Sequence, residues 1–219
     1  MRMAYKLSDP HLDVIRKKIR DNHRLDFEDG LAIYKSFDLI GIGRLADYVR
    51  RKLHGKNAYY VINRHINYTN VCLNKCRFCA FSRDEGQRGA YTLTIGEVRE
   101  MLSTSSPQTS EVHMVGGLNP ALPFDYYLKL LKVIREIMPG VAIKAFTAVE
   151  IDYLSRISGL SVEGTFEILK AEGLEMLPGG GAEVMSDRVR SRLFPEKISR
   201  NRWLEIMTAA HRTGLTTNA

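Results

Sequence analysis

The chain has 219 residues, 44% hydrophobic and 26% charged, with a formal charge of +7. That size suits one sizeable domain or a domain with an appendage, and the balance is that of a soluble globular protein. A membrane span is not expected, since no apolar run approaches about 20 residues, nor is a disulfide framework, since the three cysteines are odd in number and clustered.

Reduced cysteines point to the cytoplasm, and residues 1–10 lack the apolar core of a signal peptide. The basic residues are dispersed, as in Arg16-Lys17-Lys18, Arg50-Arg51-Lys52 and 188–192, without the interleaved aromatics of a strand-binding groove. Neither nucleic acid nor a membrane is therefore an expected partner. A solvated basic surface, or attraction of anionic small molecules, accounts for the charge.

Residues 1–57 read as a helical extension. Asp9-Pro10 is a helix start with proline at the first helical position, and Leu12, Ile15 and Ile19 follow at helical spacing. Further helices are expected over 26–36 and 40–53, the latter with Leu45, Tyr48, Val49 and Leu53 on one face and Gly55 as its stop. The pattern then changes. Strand-like runs recur at 59–69, 111–115, 141–147, 174–177 and 214–218, separated by helical patterns at 94–103, 123–138, 161–172 and 200–212. Ser161-Val-Glu-Gly opens one of these like a helix cap. This alternation predicts parallel βα units over 58–219. Four units and the start of a fifth strand fall short of an eight-unit barrel of about 250 residues. The chain is accordingly expected to be the N-terminal part of a longer protein, or a shortened product, with an unpaired parallel edge.

Side chains alternate faces along a strand. In the first strand Tyr60, Ile62, Arg64, Ile66 and Tyr68 share one face, and Asn63, His65, Asn67 and Thr69 the other. If the apolar face meets the helices, the polar face lines a wet cavity, to which His113 and Lys144 of the next two strands add.

Cys72, Cys76 and Cys79 follow that strand in a C-x3-C-x2-C spacing, at the end where α/β barrels carry their active sites. Structural zinc sites are usually closed by four ligands, so zinc here would need His65 or His113 as the fourth. Three thiolates instead leave one iron of a four-iron cluster open, and an open position is a reactive arrangement. Phe78, between the last two cysteines, is placed to shield such a cluster. Gly116-Gly117 ends the second strand, where glycines let a ligand approach the backbone, or simply make a turn before Asn119-Pro120. Pro178-Gly-Gly-Gly-Ala-Glu183 follows the fourth strand without the Lys-Ser or Lys-Thr of a phosphate loop. Glu183 at that mouth would meet an ammonium group or a ribose hydroxyl, or else solvent.

The cysteine triplet followed by Ala80-Phe81, the Gly-Gly after the second strand and the βα alternation together resemble the radical S-adenosylmethionine superfamily over about 58–219. Finer strings are Asn67-Tyr-Thr-Asn-Val-Cys72, Gly116-Gly-Leu-Asn-Pro120, Lys144-Ala-Phe-Thr-Ala-Val-Glu-Ile151, Leu177-Pro-Gly-Gly-Gly-Ala-Glu183 and Thr217-Asn-Ala219. They are similar to the aminofutalosine synthase family of the futalosine route to menaquinone. The cyclic dehypoxanthinylfutalosine synthases of that route, and the deazaflavin-forming synthases, are neighbouring families.

The resemblance implies an α/β fold, a TIM-type (β/α) barrel incomplete in this chain. It implies a [4Fe-4S] cluster on Cys72, Cys76 and Cys79, with S-adenosylmethionine on the fourth iron. It implies addition of a 5′-deoxyadenosyl radical to 3-[(1-carboxyvinyl)oxy]benzoate, the enolpyruvyl ether of 3-hydroxybenzoate, giving 6-amino-6-deoxyfutalosine. Phe78, Gly116, Gly117, Glu183 and Arg202 are the expected cofactor residues; His65, Lys144 and Glu183 are the expected catalytic ones, with His113 as a further cation for the substrate's carboxylates. The expected partners are that substrate and an electron donor such as flavodoxin or ferredoxin, with room for a homodimer. The alternatives are a cyclic dehypoxanthinylfutalosine synthase of the same route or, since family members run well beyond 219 residues, a truncated, non-catalytic, cluster-binding fragment.

Overall fold

The computed structural model describes residues 6–218. The first residues of the 1–10 segment, and Ala219 of the Thr217-Asn-Ala string, lie outside them. The chain divides into two compact units between Tyr60 and Val61.

The first unit holds α1 (His11–Arg20), α2 (Phe27–Lys35) and α3 (Leu39–His54). Leu12 and Ile15 meet Leu7 and Leu45 in a small core flanked by Ile19, Ile33 and Ile42, which is the stripe that helical spacing draws. Pro10 sits one position earlier than expected, as the cap of α1. Asp26 and Asp29 cap α2 reciprocally, each carboxylate accepting the other's backbone N–H. The Asp29 N–H and the Lys18 ammonium hold the Asp26 carboxyl down at about 2. The stabilisation from this cap is thus whole above the ordinary aspartate range and is lost only as pH falls through about 2.

The second unit is a five-stranded parallel sheet in the order β1-β2-β3-β4-β5, from β1 (Asn63–Asn67), β2 (Glu111–Val115), β3 (Ala142–Ala145), β4 (Met176–Leu177) and β5 (Thr216–Thr217). Between them run α4 (Ile95–Ser103), α5 (Phe124–Ile137), α6 (Ala148–Ser158) with α7 (Val162–Ala171), and α8 (Asp187–Leu193) with α9 (Arg200–Arg212). These are successive βα units of a barrel wall, incomplete among the described residues, with β1 and β5 as its edges. The strands other than β2 are shorter than the sequence predicts: 59–61 are exposed ahead of β1, and Phe146 leaves β3 at a φ of 58°.

The sheet's two faces divide as alternation requires. Ile66, Val112, Met114, Ile143, Ala145 and Leu177 join Val98, Leu130, Ile134, Phe166, Leu169 and Ile206 of the helices in one core. On the other face the register aligns His65 with His113, His113 with Lys144, Lys144 with Met176 and Met176 with Thr216. One row of polar and sulfur-bearing side chains thus crosses all five strands. Helix starts follow local chemistry: Thr94, Thr147, Ser161 and Ser199 each accept a backbone N–H three residues on. Helix α6 is absent from the sequence reading, although Thr147-Ala-Val-Glu150 carries the capping-box pattern that announces it.

Phe166, fully buried on α7, is a direct probe of this core. Phe166→Ala should cost about 3–5 kcal/mol, read as a lower denaturation midpoint with an unchanged denaturant slope.

Candidate active site

The C-terminal ends of β1 to β4 gather four loops around a cavity of about 300 Å³. Its wall includes all three cysteines, Phe78, Gly116, Gly117 and Leu118, Thr147 and Glu150, and Gly180, Gly181, Glu183 and Lys197.

The cysteine loop is fastened to its neighbours by backbone bonds. Leu73 N–H donates to Leu118 O at 3.0 Å, Arg77 N–H to Leu193 O at 2.8 Å, and Cys72 N–H to Arg83 O at 3.2 Å. The Arg83 guanidinium donates back to the carbonyls of Ala80 and Ser82 and closes the loop's exit. All three thiols are free and partly buried. Leu118 N–H donates to Cys72 Sγ at 3.4 Å. Burial pushes the Cys76 thiol up, and the Lys197 ammonium opposes this. Among the described residues no set of His, Cys, Asp or Glu side chains converges on a point where one metal ion could sit. Phe78 packs edge-on against buried Phe194, and the Lys197 ammonium lies over both rings.

The glycines stand where no side chain fits. A Cβ on Gly117 would lie 2.1 Å from Val71 O and 3.0 Å from Cys72 Cβ, and one on Gly116 would enter the Tyr68 ring. Gly181, at a φ of 91°, has no room beside Val149 of α6. Glu183 also adopts a positive φ, 49°, which turns its carboxylate towards Lys197 Nζ at 2.9 Å.

Under the glycine edge lies Glu150, almost wholly buried. Its Oε1 accepts from Tyr68 O–H at 2.7 Å and Gly116 N–H at 2.9 Å; its Oε2 accepts from Thr147 N–H at 2.7 Å and Thr147 O–H at 2.8 Å. Burial pushes the Glu150 carboxyl up, while the donors, Tyr68 first, pull it back.

A sequence profile of the Radical SAM superfamily matches residues 66–219, the segment that supplies every wall of this cavity. The chain belongs to the radical SAM superfamily. It is 41% identical over 214 residues to the aminodeoxyfutalosine synthase of Thermus thermophilus, covering 97% of this chain and 58% of that protein. It is 39% identical over 204 residues to that of Streptomyces coelicolor, covering 93% and 53%. It is also 41% identical over 201 residues to a 5-amino-6-(D-ribitylamino)uracil–L-tyrosine 4-hydroxyphenyl transferase of Synechocystis, covering 88% and 51%. The chain thus spans little more than half the length of the curated relatives it matches. Among solved structures, methylornithine synthase matches at a TM-score of 0.68 and 17% identity, covering 93% of this chain and 57% of the other. HydG, a maturase of the [FeFe]-hydrogenase, matches at 0.71 and 18%, covering 94% and 44%. Both share this chain's fold.

Against this frame, the expected residues separate into three places. Cys72, Cys76, Cys79, Phe78, Gly116, Gly117 and Glu183 share the cavity. His65, His113 and Lys144 lie apart from its wall, in the row across the polar face: the two imidazole rings are 4.9 Å apart, His65 Nε2 bonds Asn67 Oδ1 at 2.8 Å, and Lys144 Nζ pairs with Glu111 Oε1 at 2.8 Å. That pair partly neutralises Lys144. Arg202 sits on α9, bound to Asp152 and Glu205, and is not among the cavity-lining residues.

Three residues of this radical SAM site escape the sequence reading. Glu150 was legible as the third residue of a capping box. Arg190 belongs to the basic 188–192 stretch that reads as solvated surface, yet it is buried, and Lys197, which the reading does not single out, reaches the cavity. The Arg190 guanidinium donates to the carbonyls of Ala182, Val184 and Ile198 at 2.6–2.9 Å and stacks on Phe194. It therefore clamps the loop that carries Glu183 and Lys197.

Two outcomes follow. Arg190→Met leaves those carbonyls without donors and should lower stability by about 3 kcal/mol, with new protease cleavage in 179–185. Burial first, then the charges of Lys144 and His65, push His113 below the ordinary imidazole value, against Glu111. The unfolded chain then takes up the proton more readily, so His113 withdraws stability as pH falls below the ordinary value. An NMR titration should place His113 below 6.5, and Lys144→Met should move it upward.

Proposed function

We propose that this chain is the cofactor-binding part of an aminodeoxyfutalosine synthase, which joins the 5′-deoxyadenosyl unit of S-adenosylmethionine to the vinyl group of 3-[(1-carboxyvinyl)oxy]benzoate. The observation that carries the reading is the single cavity in which three cysteine thiols face the Gly116-Gly117 edge and the Gly180–Glu183 loop. The superfamily's cluster fits this donor set. Three thiols spread along one loop suit three separate irons better than a single ion, and the cradle beside them is one that any Cβ would fill.

Cys72, Cys76 and Cys79 would hold the cluster, which with S-adenosylmethionine bound would supply the 5′-deoxyadenosyl radical. Gly116 and Gly117 would admit the methionine end of the cofactor, and Glu183 a ribose hydroxyl or an ammonium group. Phe194 is buried behind Phe78, which is itself half exposed at the cavity wall. The chain's further task is to place the vinyl carbon within reach and to exclude other hydrogen donors. His65, His113 and Lys144 stand in the row across the sheet's polar face, where the substrate's two carboxylates would find charge-assisted donors. A low-potential flavodoxin or ferredoxin would deliver the electron.

The identity to the Synechocystis transferase supports a second reading, in which the substrate is tyrosine and the same row binds an amino acid. Anaerobic reconstitution should give about four irons per chain with a broad visible absorbance, and Cys76→Ala should lose both. Cofactor cleavage by the reduced protein should rise with the enolpyruvyl ether and not with tyrosine. Stimulation by tyrosine alone would favour the second reading, and one tightly bound zinc would sink both.

A further inference from the structure

Among the described residues of the cavity wall, Glu150 is the one ionisable group, other than the thiols, with no opposite charge beside it. Glu183 and Lys197 neutralise each other at 2.9 Å. The four partners of Glu150 are two backbone N–H groups and two hydroxyls, all donors and all neutral. Thr147 Oγ1 also accepts the Glu150 N–H, so the two residues close a reciprocal cap. These four bonds occupy both oxygens and favour the carboxylate, against the burial that pushes its carboxyl up. Its charge is met by dipoles alone, so a net negative field is left to act on whatever ligand enters the cavity.

We propose that Glu150 makes the cavity select for positive charge at the sulfur position of the nucleoside ligand, so that a sulfonium is held and a neutral thioether is released. Through Gly116 N–H and the Tyr68 hydroxyl it also sets the height of the glycine edge on which that ligand rests. The inference rests on the reading that this cavity takes S-adenosylmethionine. It adds a means of shedding a demethylated, uncharged competitor, using a residue that also starts helix α6.

The test is equilibrium binding to the cluster-loaded protein under anaerobic, non-reducing conditions. Three ligands are compared: S-adenosylmethionine, S-adenosylhomocysteine, and sinefungin, whose protonated amine replaces the sulfonium. The wild type should bind both cations at least tenfold tighter than the thioether. Glu150→Gln, nearly isosteric, should bring the three within about threefold while iron content and thermal midpoint report an intact fold. Tyr68→Phe removes one donor but keeps the charge, and should keep the preference. Should Glu150→Gln fail to fold, Glu150→Asp takes its place and must retain the preference. Equal affinities in the wild type, a preference unchanged in Glu150→Gln, or its loss in Tyr68→Phe or in Glu150→Asp would overturn the proposal. Failure of all three ligands to bind protein with a full cluster would instead sink the S-adenosylmethionine reading itself.

Discussion

Parallel pairing of consecutive strands is the constraint from which the rest of this molecule follows. Because β1 to β4 all run the same way, every strand ends at one rim, and each loop leaving that rim starts beside its neighbours. The cysteine loop, the glycine pair, the start of α6 and the triple-glycine loop are far apart in the chain, yet they converge without any long excursion. The same register fixes which side chains look inward. A one-residue slip of β2 against β1 would bury His113 among the helices and turn Val112 and Met114 into the lumen. The apolar face of Ile66, Met114, Ile143 and Leu177 therefore holds the polar row in place.

At the rim, backbone groups do most of the fastening. Leu73, Arg77 and Leu118 attach the cysteine loop to two other loops through N–H donors, and Arg190 gathers carbonyls from both ends of its own segment. Among the described residues lining the cavity, charged side chains are few: Glu183 paired with Lys197, and Glu150 with no cation beside it. Buried polar groups are costly unless bonded, and here bonding is also what aims them.

Much of this is readable from the residues, and the failures have identifiable causes. The cysteine spacing carries its chemistry on its face. The alternation of Asn63, His65, Asn67 and Thr69 against Ile66 and Tyr68 foretells the polar lumen, and β2 falls where its β-branched run places it. Helix α6 is hidden because Ala145, Phe146 and Val149 extend a strand-like apolar run across the Thr147 cap. Arg190 is hidden for another reason: its partners are carbonyls, which any residue possesses, so nothing in the sequence marks the site as ready for a cation. Arg202 misleads in the opposite direction. Its partner Asp152 lies on a helix the reading does not contain, and without that partner a conspicuous arginine looks available.

The carboxylate beneath the glycine edge belongs at once to a helix end, a strand tip and a cavity wall. Fraying of the first turn of α6 and loosening of the chain after β2 are thereby coupled, since both draw on bonds to one carboxylate. The binding floor cannot soften while its scaffold stays rigid, and drift in either part is visible to the other.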